Sequence, residues 1–430
     1  MARKMKDSGI EWIGEIPEGW EIKRLGAILQ ERNEVNNPIQ TTSILSLTNN
    51  RGVIPYSEKG NQGNKAKDDL TGYKIAHIGD IVLNSMNVII GSVGLSNYYG
   101  AVSPVYYMLF PRNNIETNIQ YYNYLFQTTA FQQSLRGYGN GILEIRMRIQ
   151  MQKLKTVLLP VPAFLEQSNI TVYLDASLSK LNILLSKTRS SIEEYKKLKQ
   201  AVITQAVTKG VRGERERKDS GVEWIGEIPK EWVIQKIKSI SSRINVGVVI
   251  RPSEYFDENG TVPFLRGINV KEYLISSDNM VYINESSNRI LSKSQVHTDD
   301  ILIVRDGSIG TSCVVPAEFD GANVVSMVIA TPSISCDSRF ICYSLNSDVG
   351  KTQFTLTKIG SALTHTSVSA VSDIIVAVPS CAEQKEIADY LDAKCAEIDG
   401  LIAKKEQLVK ELENYKKSLI YEVVTGKREV

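Results

Sequence analysis

Side chains that read the edges of nucleic-acid bases carry guanidinium, carboxamide or hydroxyl groups, and two collections of them sit in loop-like, glycine-bearing stretches of this chain. The first holds Asn49, Asn50, Arg51, Lys65, Asn84 and Asn87, with Arg136, Tyr138 and Asn140 in the segment Arg136-Gly137-Tyr138-Gly139-Asn140. The second holds Arg251, Arg266, Asn269, Arg305, Ser308, Lys358, Ser361, Thr364 and His365. Arg matches the O6 and N7 acceptors of guanine, Asn matches N6 and N7 of adenine, and Ser or Thr bonds to either. Any one of these residues is equally an ordinary solvated loop residue, so the sets carry more weight than their members.

Motifs for covalent chemistry are missing. No G-x-x-x-x-G-K-[ST] loop is present to cradle a nucleotide's phosphates. A methyltransferase needs a glycine-rich cofactor turn opening a doubly wound sheet and a polar tetrapeptide that holds a flipped base. The nearest approaches, Gly137-Tyr138-Gly139-Asn140-Gly141 and Ser103-Pro104-Val105-Tyr106, lack the alternating strand and helix pattern. His77, His297 and His365 have no recognisable acid-base partner motif. Cys313, Cys336, Cys342, Cys381 and Cys395 form no C-x-x-C pair, so they read as reduced structural thiols, and no metal site is expected. No catalytic residue is nominated.

Composition sets the class. With 42% hydrophobic and 23% charged residues over 430 positions, the chain reads as a well-packed protein of more than one domain. It has no apolar run of the roughly 20 residues a membrane helix needs, and charges and Pro17 interrupt the start where a signal peptide's apolar core would lie. A cytoplasmic location is expected. The formal net charge of only +2 is low for a self-sufficient DNA binder, so the positive charge is local or a partner supplies more.

The elements that must position these loops are written twice. Asp7–Leu25 and Asp219–Ile237 agree at twelve of nineteen positions at an offset of 212, and Trp12, Trp20, Trp224 and Trp232 all lie in these boxes. A second block repeats at an offset of 217: Pro162, Glu166, Gln167, Tyr173, Leu174, Asp175 and Ala176 return as Pro379, Glu383, Gln384, Tyr390, Leu391, Asp392 and Ala393. Inside it, Leu178, Leu181, Leu185, Thr188, Ile192, Tyr195, Lys199, Val202 and Ala206 are spaced alternately three and four apart, the seam of a coiled coil. The same seam recurs as Cys395, Ile398, Ile402, Lys405, Val409, Leu412, Lys416, Leu419 and Val423. Connectivity makes the two helices antiparallel, and a helix from Glu166 to Thr208 spans roughly 60 Å.

Between boxes and helices lie regions of divergent sequence, 26–160 and 238–377. They share an outline: apolar strands at Ile81–Leu83 and Ile301–Val304, then the turns Gly91-Ser92-Val93-Gly94 and Gly307-Ser308-Ile309-Gly310. The fold class expected is α+β, two β-rich domains separated by two long antiparallel coiled-coil helices in a pseudo-twofold repeat. The segments are 1–160, 161–212 for the first helix, 213–377, and 378–430 for the second. A conserved frame with divergent inserts implies one scaffold presenting two specificities.

The W-I-G-x-I-P-x-x-W boxes at Trp12–Trp20 and Trp224–Trp232, the P-x-x-x-E-Q openings at Pro162 and Pro379, and the K-T-R-x-S-I-E and A-V-T-K-G stretches together resemble the specificity subunits of type I restriction-modification systems. The resemblance covers the whole chain. It implies two target-recognition domains reading the halves of a bipartite, asymmetric site in double-stranded DNA, with paired helices setting the spacer. It also implies two docked methyltransferase subunits that bring S-adenosylmethionine and, in some systems, restriction subunits that bring ATP and magnesium; this chain itself would hold no cofactor. Two rival readings remain on the residues alone, a scaffold that binds only proteins and a solitary methyltransferase.

Overall fold

The computed structural model describes residues 3–49, 51–60, 65–140, 148–358 and 365–430. They form two units, one made of Met1–Arg189 with Gln407–Val430 and the other of Ser190–Glu406. The grouping departs from a division along the chain because the two long helices, Phe164–Lys209 and Cys381–Val424, each contribute to both units. The end of the second helix buries Leu419, Ile420, Val423 and Val424 in the first unit's core. The end of the first buries Ile203, Ala206 and Val207 in the second unit's core.

Each unit is built on a four-stranded antiparallel sheet with the same strand order. In the first unit it runs Leu29–Arg32, Tyr106–Pro111, Ile81–Asn84, Val93–Leu95. In the second it runs Ser241–Val246, Met327–Pro332, Ile301–Val304, Ser312–Val314. Ile81–Leu83, in the strand Ile81–Asn84, and the strand Ile301–Val304 read as apolar runs because both of their faces are covered. Ile81 and Leu83 face the core that holds the boxes and helix ends, while Val82 joins Leu45, Leu47, Val53 and Met108 on the opposite face. Ile301 and Ile303 divide from Leu302 and Val304 in the same way. One-residue alternation along a strand thus cements two layers at once.

The helices that follow these sheets start with side-chain caps. Asn118 accepts from Gln120 N ahead of Ile119–Phe126, and Asp337 accepts from Arg339 N and Phe340 N ahead of Ser338–Asn346. Two glycines, Gly94 inside the strand Val93–Leu95 and Gly310 in a turn, are dictated by close approach. A Cβ on Gly94 would lie 3.0 Å from the Cα of Gly52, and one on Gly310, at φ +88°, would lie 2.4 Å from the Phe354 ring.

Within the first unit the long helices run antiparallel: Lys416 Nζ donates to Asn182 Oδ1 at 2.9 Å, and Arg189 pairs with Glu413. Within the second, Lys199 pairs with Asp399 at 2.6 Å and Lys405 lies over the Tyr195 ring. Leu178, Leu185, Ile192, Ile398, Leu419 and Val423 are buried. Leu181, Tyr195, Val202, Ile402, Val409 and Leu412 are half-buried. Among the described residues no helix is long and apolar enough to cross a membrane.

Candidate nucleic-acid interface

The repeated motifs do local mechanical work, and the geometry shows what each residue is for. In the first unit the Trp20 indole N–H donates to Glu166 Oε2 at 2.9 Å, and Arg3 pairs with the same carboxylate at 2.5 Å while lying over the indole ring. In the second, Trp232 donates to Glu383 at 3.3 Å, and Arg215 lies 2.7 Å from that carboxylate and over the indole. The next residue closes the helix entry. The buried amide of Gln167 accepts from Asn118 N and donates to Pro162 O, and Gln384 accepts from Asp337 N and donates to Pro379 O. One turn pair further on, Tyr124 donates to Asp175 and Tyr343 to Asp392, and burial beside these carboxylates pushes both phenols up. The motif carboxylates and amides therefore tie each box to its helix rather than facing solvent as acid-base groups.

The sheet entrances are braced in the same doubled manner. Asp80 accepts from Arg32 Nε at 2.8 Å and from His77 N, and Asp300 accepts from Arg243 Nη2 at 2.7 Å and from His297 N. Both carboxylates are almost wholly buried, so their charge is stabilised by the guanidinium and backbone donors together. These braces fix the strands whose far ends carry the candidate readers.

In the first unit, those strand ends converge. Asn49, Lys65, Asn84 and Asn87, which come from three separate segments, line one cleft of about 600 Å³ together with Lys59, Ser46, Ser92, Ser103, Tyr56 and Tyr106. Ser92 Oγ donates to Asn49 Oδ1 at 2.6 Å, and Met86 N donates to Asn84 Oδ1 at 3.0 Å. These bonds hold the two carboxamides by their oxygens, and among the described residues their NH₂ ends have no hydrogen-bond partner. Asn87 begins the tight turn Val88–Ile90 without spending its side chain on a cap. No Asp or Glu lines this cleft among the described residues, so it offers carboxamide donors, hydroxyls and the Lys65 ammonium to an electron-rich partner.

The remaining first-unit nominees lie elsewhere. Arg51 borders an adjoining groove and is paired with Glu58 at 2.5 Å. Arg136 is exposed, while Tyr138 packs toward the core beside Trp12 in a different depression, away from the cleft. Asn140 lies in the short strand Gly139–Asn140, paired with Arg148–Ile149, and Asn50 lies outside the described residues. Lys59 and Ser46 were not nominated; Ser92, quoted for its turn, was the available signal.

In the second unit Arg305 and His365 come together at the end of strand Ile301–Val304, and Ser308 follows in the turn after it, its carbonyl accepting from Thr311 N. Arg305 Nε donates to Thr366 O at 2.9 Å, Thr366 N donates back to Arg305 O, and Asp306 bridges to His365. Ile149 N bonds Ser85 O at the equivalent place in the first unit. Arg251 is exposed at φ +43° and paired with Glu254 at 3.2 Å, and Arg266 bonds Asn279 O. Asn269 is a correction: it is fully buried, its NH₂ donates to Ser276 O and Asp278 O, and its oxygen accepts from Arg266 N. It holds a turn and has nothing left to offer a base. Lys358 ends the helix Asp348–Lys358, and Ser361 and Thr364 lie outside the described residues.

Two folds of one plan, each ending in a different set of loop donors, match what the sequence comparisons return. The type I restriction modification DNA specificity domain matches residues 17–194 and again 229–411. The chain belongs to this family. As a specificity-family member it is 26% identical over 434 residues to the putative type I restriction enzyme MjaX specificity subunit of Methanocaldococcus jannaschii, covering 96% of this chain and 95% of that one. It is 24% identical to the MjaVIII specificity subunit of the same organism, over 96% and 93% of the two chains. Among solved structures, a chain from work on complex assembly and conformational transition of the type I R-M system superposes with a TM-score of 0.74 at 13% identity, covering 96% of this chain and 99% of that one. The HsdS subunit from Thermoanaerobacter tengcongensis superposes at 0.53 and 15%, covering 96% and 98%. At such identities these two likenesses speak for the fold.

Proposed function

We propose that this chain is the DNA-reading subunit of a type I restriction-modification complex. Each unit reads one half of a bipartite, asymmetric site, and the helix pair sets the spacer and docks two methyltransferase subunits. Methyl transfer, with S-adenosylmethionine, belongs to those partners; ATP-dependent cleavage belongs to restriction subunits in systems that have them. The single observation that carries this reading is the conserved frame with exchanged strand ends. Aligned on Asp80 and Asp300, Asn84-Ser85-Met86-Asn87 in the first unit stands where Val304-Arg305-Asp306-Gly307 stands in the second. A carboxamide set favours adenine and a guanidinium favours guanine, so the same scaffold is fitted for two different half-sites.

The test is base-resolution mapping of methyladenine in cells expressing this chain with its methyltransferase, against the methyltransferase alone. A bipartite motif is expected only with both present, and exchange of residues 26–160 for another family member's region is expected to change one half of it. Absence of any new motif, or a change in both halves together, overturns the reading.

A further inference from the structure

Beside the cleft, the first unit contains a larger open groove of about 1230 Å³ whose floor is the helix pair. Its polar and charged helix-borne lining includes Asn182, Arg189, Glu413, Lys416 and Lys417, beside Leu185 and Ile420, and carboxamides such as Gln120 and Asn97 line it from the domain side. Glu413, the one carboxylate lining the groove among the described residues, is neutralised by Arg189. Lys416 is tethered to the neutral Asn182, and Lys417 is exposed with no partner among the described residues. The groove is therefore polar with a surplus of positive charge. It is continuous with the reading cleft, because Asn49 and Ile90 line both.

Among the described residues of the second unit, the equivalent helix positions differ in charge and in partners. The repeat offset places Asp399, Glu406, Lys196, Lys199 and Gln200 where the first unit has Asn182, Arg189, Glu413, Lys416 and Lys417, turning a formal +2 into 0. Those positions are also occupied. Lys199 is held by Asp399 at 2.6 Å and lies over the Tyr273 ring, which itself packs on Tyr343 at 4.9 Å. Gln200 bonds Asn346 O and Lys351 Nζ. The turn carrying Tyr273, a non-glycine residue at φ +70°, sits at the helices here, whereas in the first unit Asn49 and Arg51 border open space.

We propose that the first unit's groove is a second DNA contact, in which Lys416 and Lys417 take the sugar-phosphate backbone of the strand leaving the base-reading cleft. The proposal rests on the DNA-reading function above. It makes the helix pair part of the DNA-binding surface in one unit only, so the two half-sites are held with unequal dependence on salt. A backbone contact adds affinity without altering the bases read.

The experiment uses the complex of this chain with its methyltransferase and measures duplex affinity from about 50 to 200 mM salt, for wild type, K416Q/K417Q and, as a control on an exposed helix position outside the groove, K197Q. Each phosphate contact contributes about 0.9 to the slope of log affinity against log salt. The double variant is expected to lose about 1.8 of slope, so that wild type falls roughly tenfold more than the variant over that range. K417Q alone, at an exposed position, should lose about half as much; K197Q should match wild type, and the methylated motif should stay the same. An unchanged slope overturns the groove contact, and so does loss of the methyltransferase from the variant complex, which makes the groove a protein interface. Failure of the wild-type complex to bind any duplex selectively instead overturns the DNA-reading function itself.

Discussion

Replacing Glu383 by alanine tests how the repeated box is held, because the same motif is buried to different depths in the two units. Glu383 has a side chain only 3% exposed, against Arg215 at 15% and a fully buried Trp232. Glu166 and Arg3, its first-unit counterparts, are both 28% exposed. Removing Glu383 strands the Trp232 indole N–H and takes from the Arg215 guanidinium its buried partner, leaving it the exposed Glu231 and Lys209 O, and breaking such a buried pair from one side costs about 3–5 kcal/mol. E166A also leaves a buried indole, Trp20 at 1% exposure, but its guanidinium partner Arg3 is one that water reaches, and screening of that ion pair brings the cost down to about 1–2 kcal/mol. For a unit of this size each kcal/mol shifts Tm by roughly 2–4 °C, which gives roughly 6–20 °C for E383A and 2–8 °C for E166A. Calorimetry, with hydrogen exchange to identify which unit opens, separates the two. E383Q keeps an acceptor for Trp232 and should recover part of the loss. Equal shifts for E383A and E166A, or an E383A shift below about 2 °C, refute the reasoning that burial sets the cost.

In the reading cleft, N84A and N87A should each lower specific over non-specific binding roughly 5- to 150-fold, the equivalent of about 1–3 kcal/mol per base-edge contact. They should relax the methylated motif in one half only; a motif unchanged in both variants removes these amides from the reading set. Alkaline stability should differ between units as well. All five cysteines lie in the second unit, and burial pushes Cys313 up from 9.0 to about 12 and also raises Cys342, Cys336 and Cys395. A raised folded-state value means that the folded chain keeps protons the unfolded chain releases, so this contribution is complete below pH 9 and lost as pH climbs toward 12, at about 1.4 kcal/mol per pH unit per group. In the first unit the raised groups are tyrosines, Tyr106, Tyr121, Tyr122 and Tyr124, whose ordinary value is 10.0. The second unit should therefore weaken first, between pH 9 and 10, and C313A/C342A should flatten that loss. Melting curves across this range in which the first unit opens earlier would contradict the assignment.

Much of the architecture was legible in the residues because it is encoded locally. Alternating three- and four-residue spacing declares a helix seam wherever it occurs, and the doubled boxes declare two copies of one frame before any contact is known. The motif Glu and Gln pairs could be found the same way, but their tasks could not. That Glu166 and Glu383 serve indole N–H groups 146 and 151 residues away in the chain is a matter of tertiary register. The site divides similarly. Composition pointed to Asn, Arg and Ser in loops as base readers, yet Asn269 proves to spend every hydrogen bond on its own turn while Asn49, Lys65, Asn84 and Asn87 meet in one cleft. Sequence alone determined that there are two similar units and which residue types they could present. Only the fold decided which of those groups are left without a partner among the described residues, that the second helix ends inside the first unit's core, and that helix positions lining an open basic groove in the first unit are tied to neighbours in the second. The reason is that a side chain's hydrogen-bonding capacity is set by residue type, whereas whether it is already satisfied depends on neighbours brought together from remote parts of the chain.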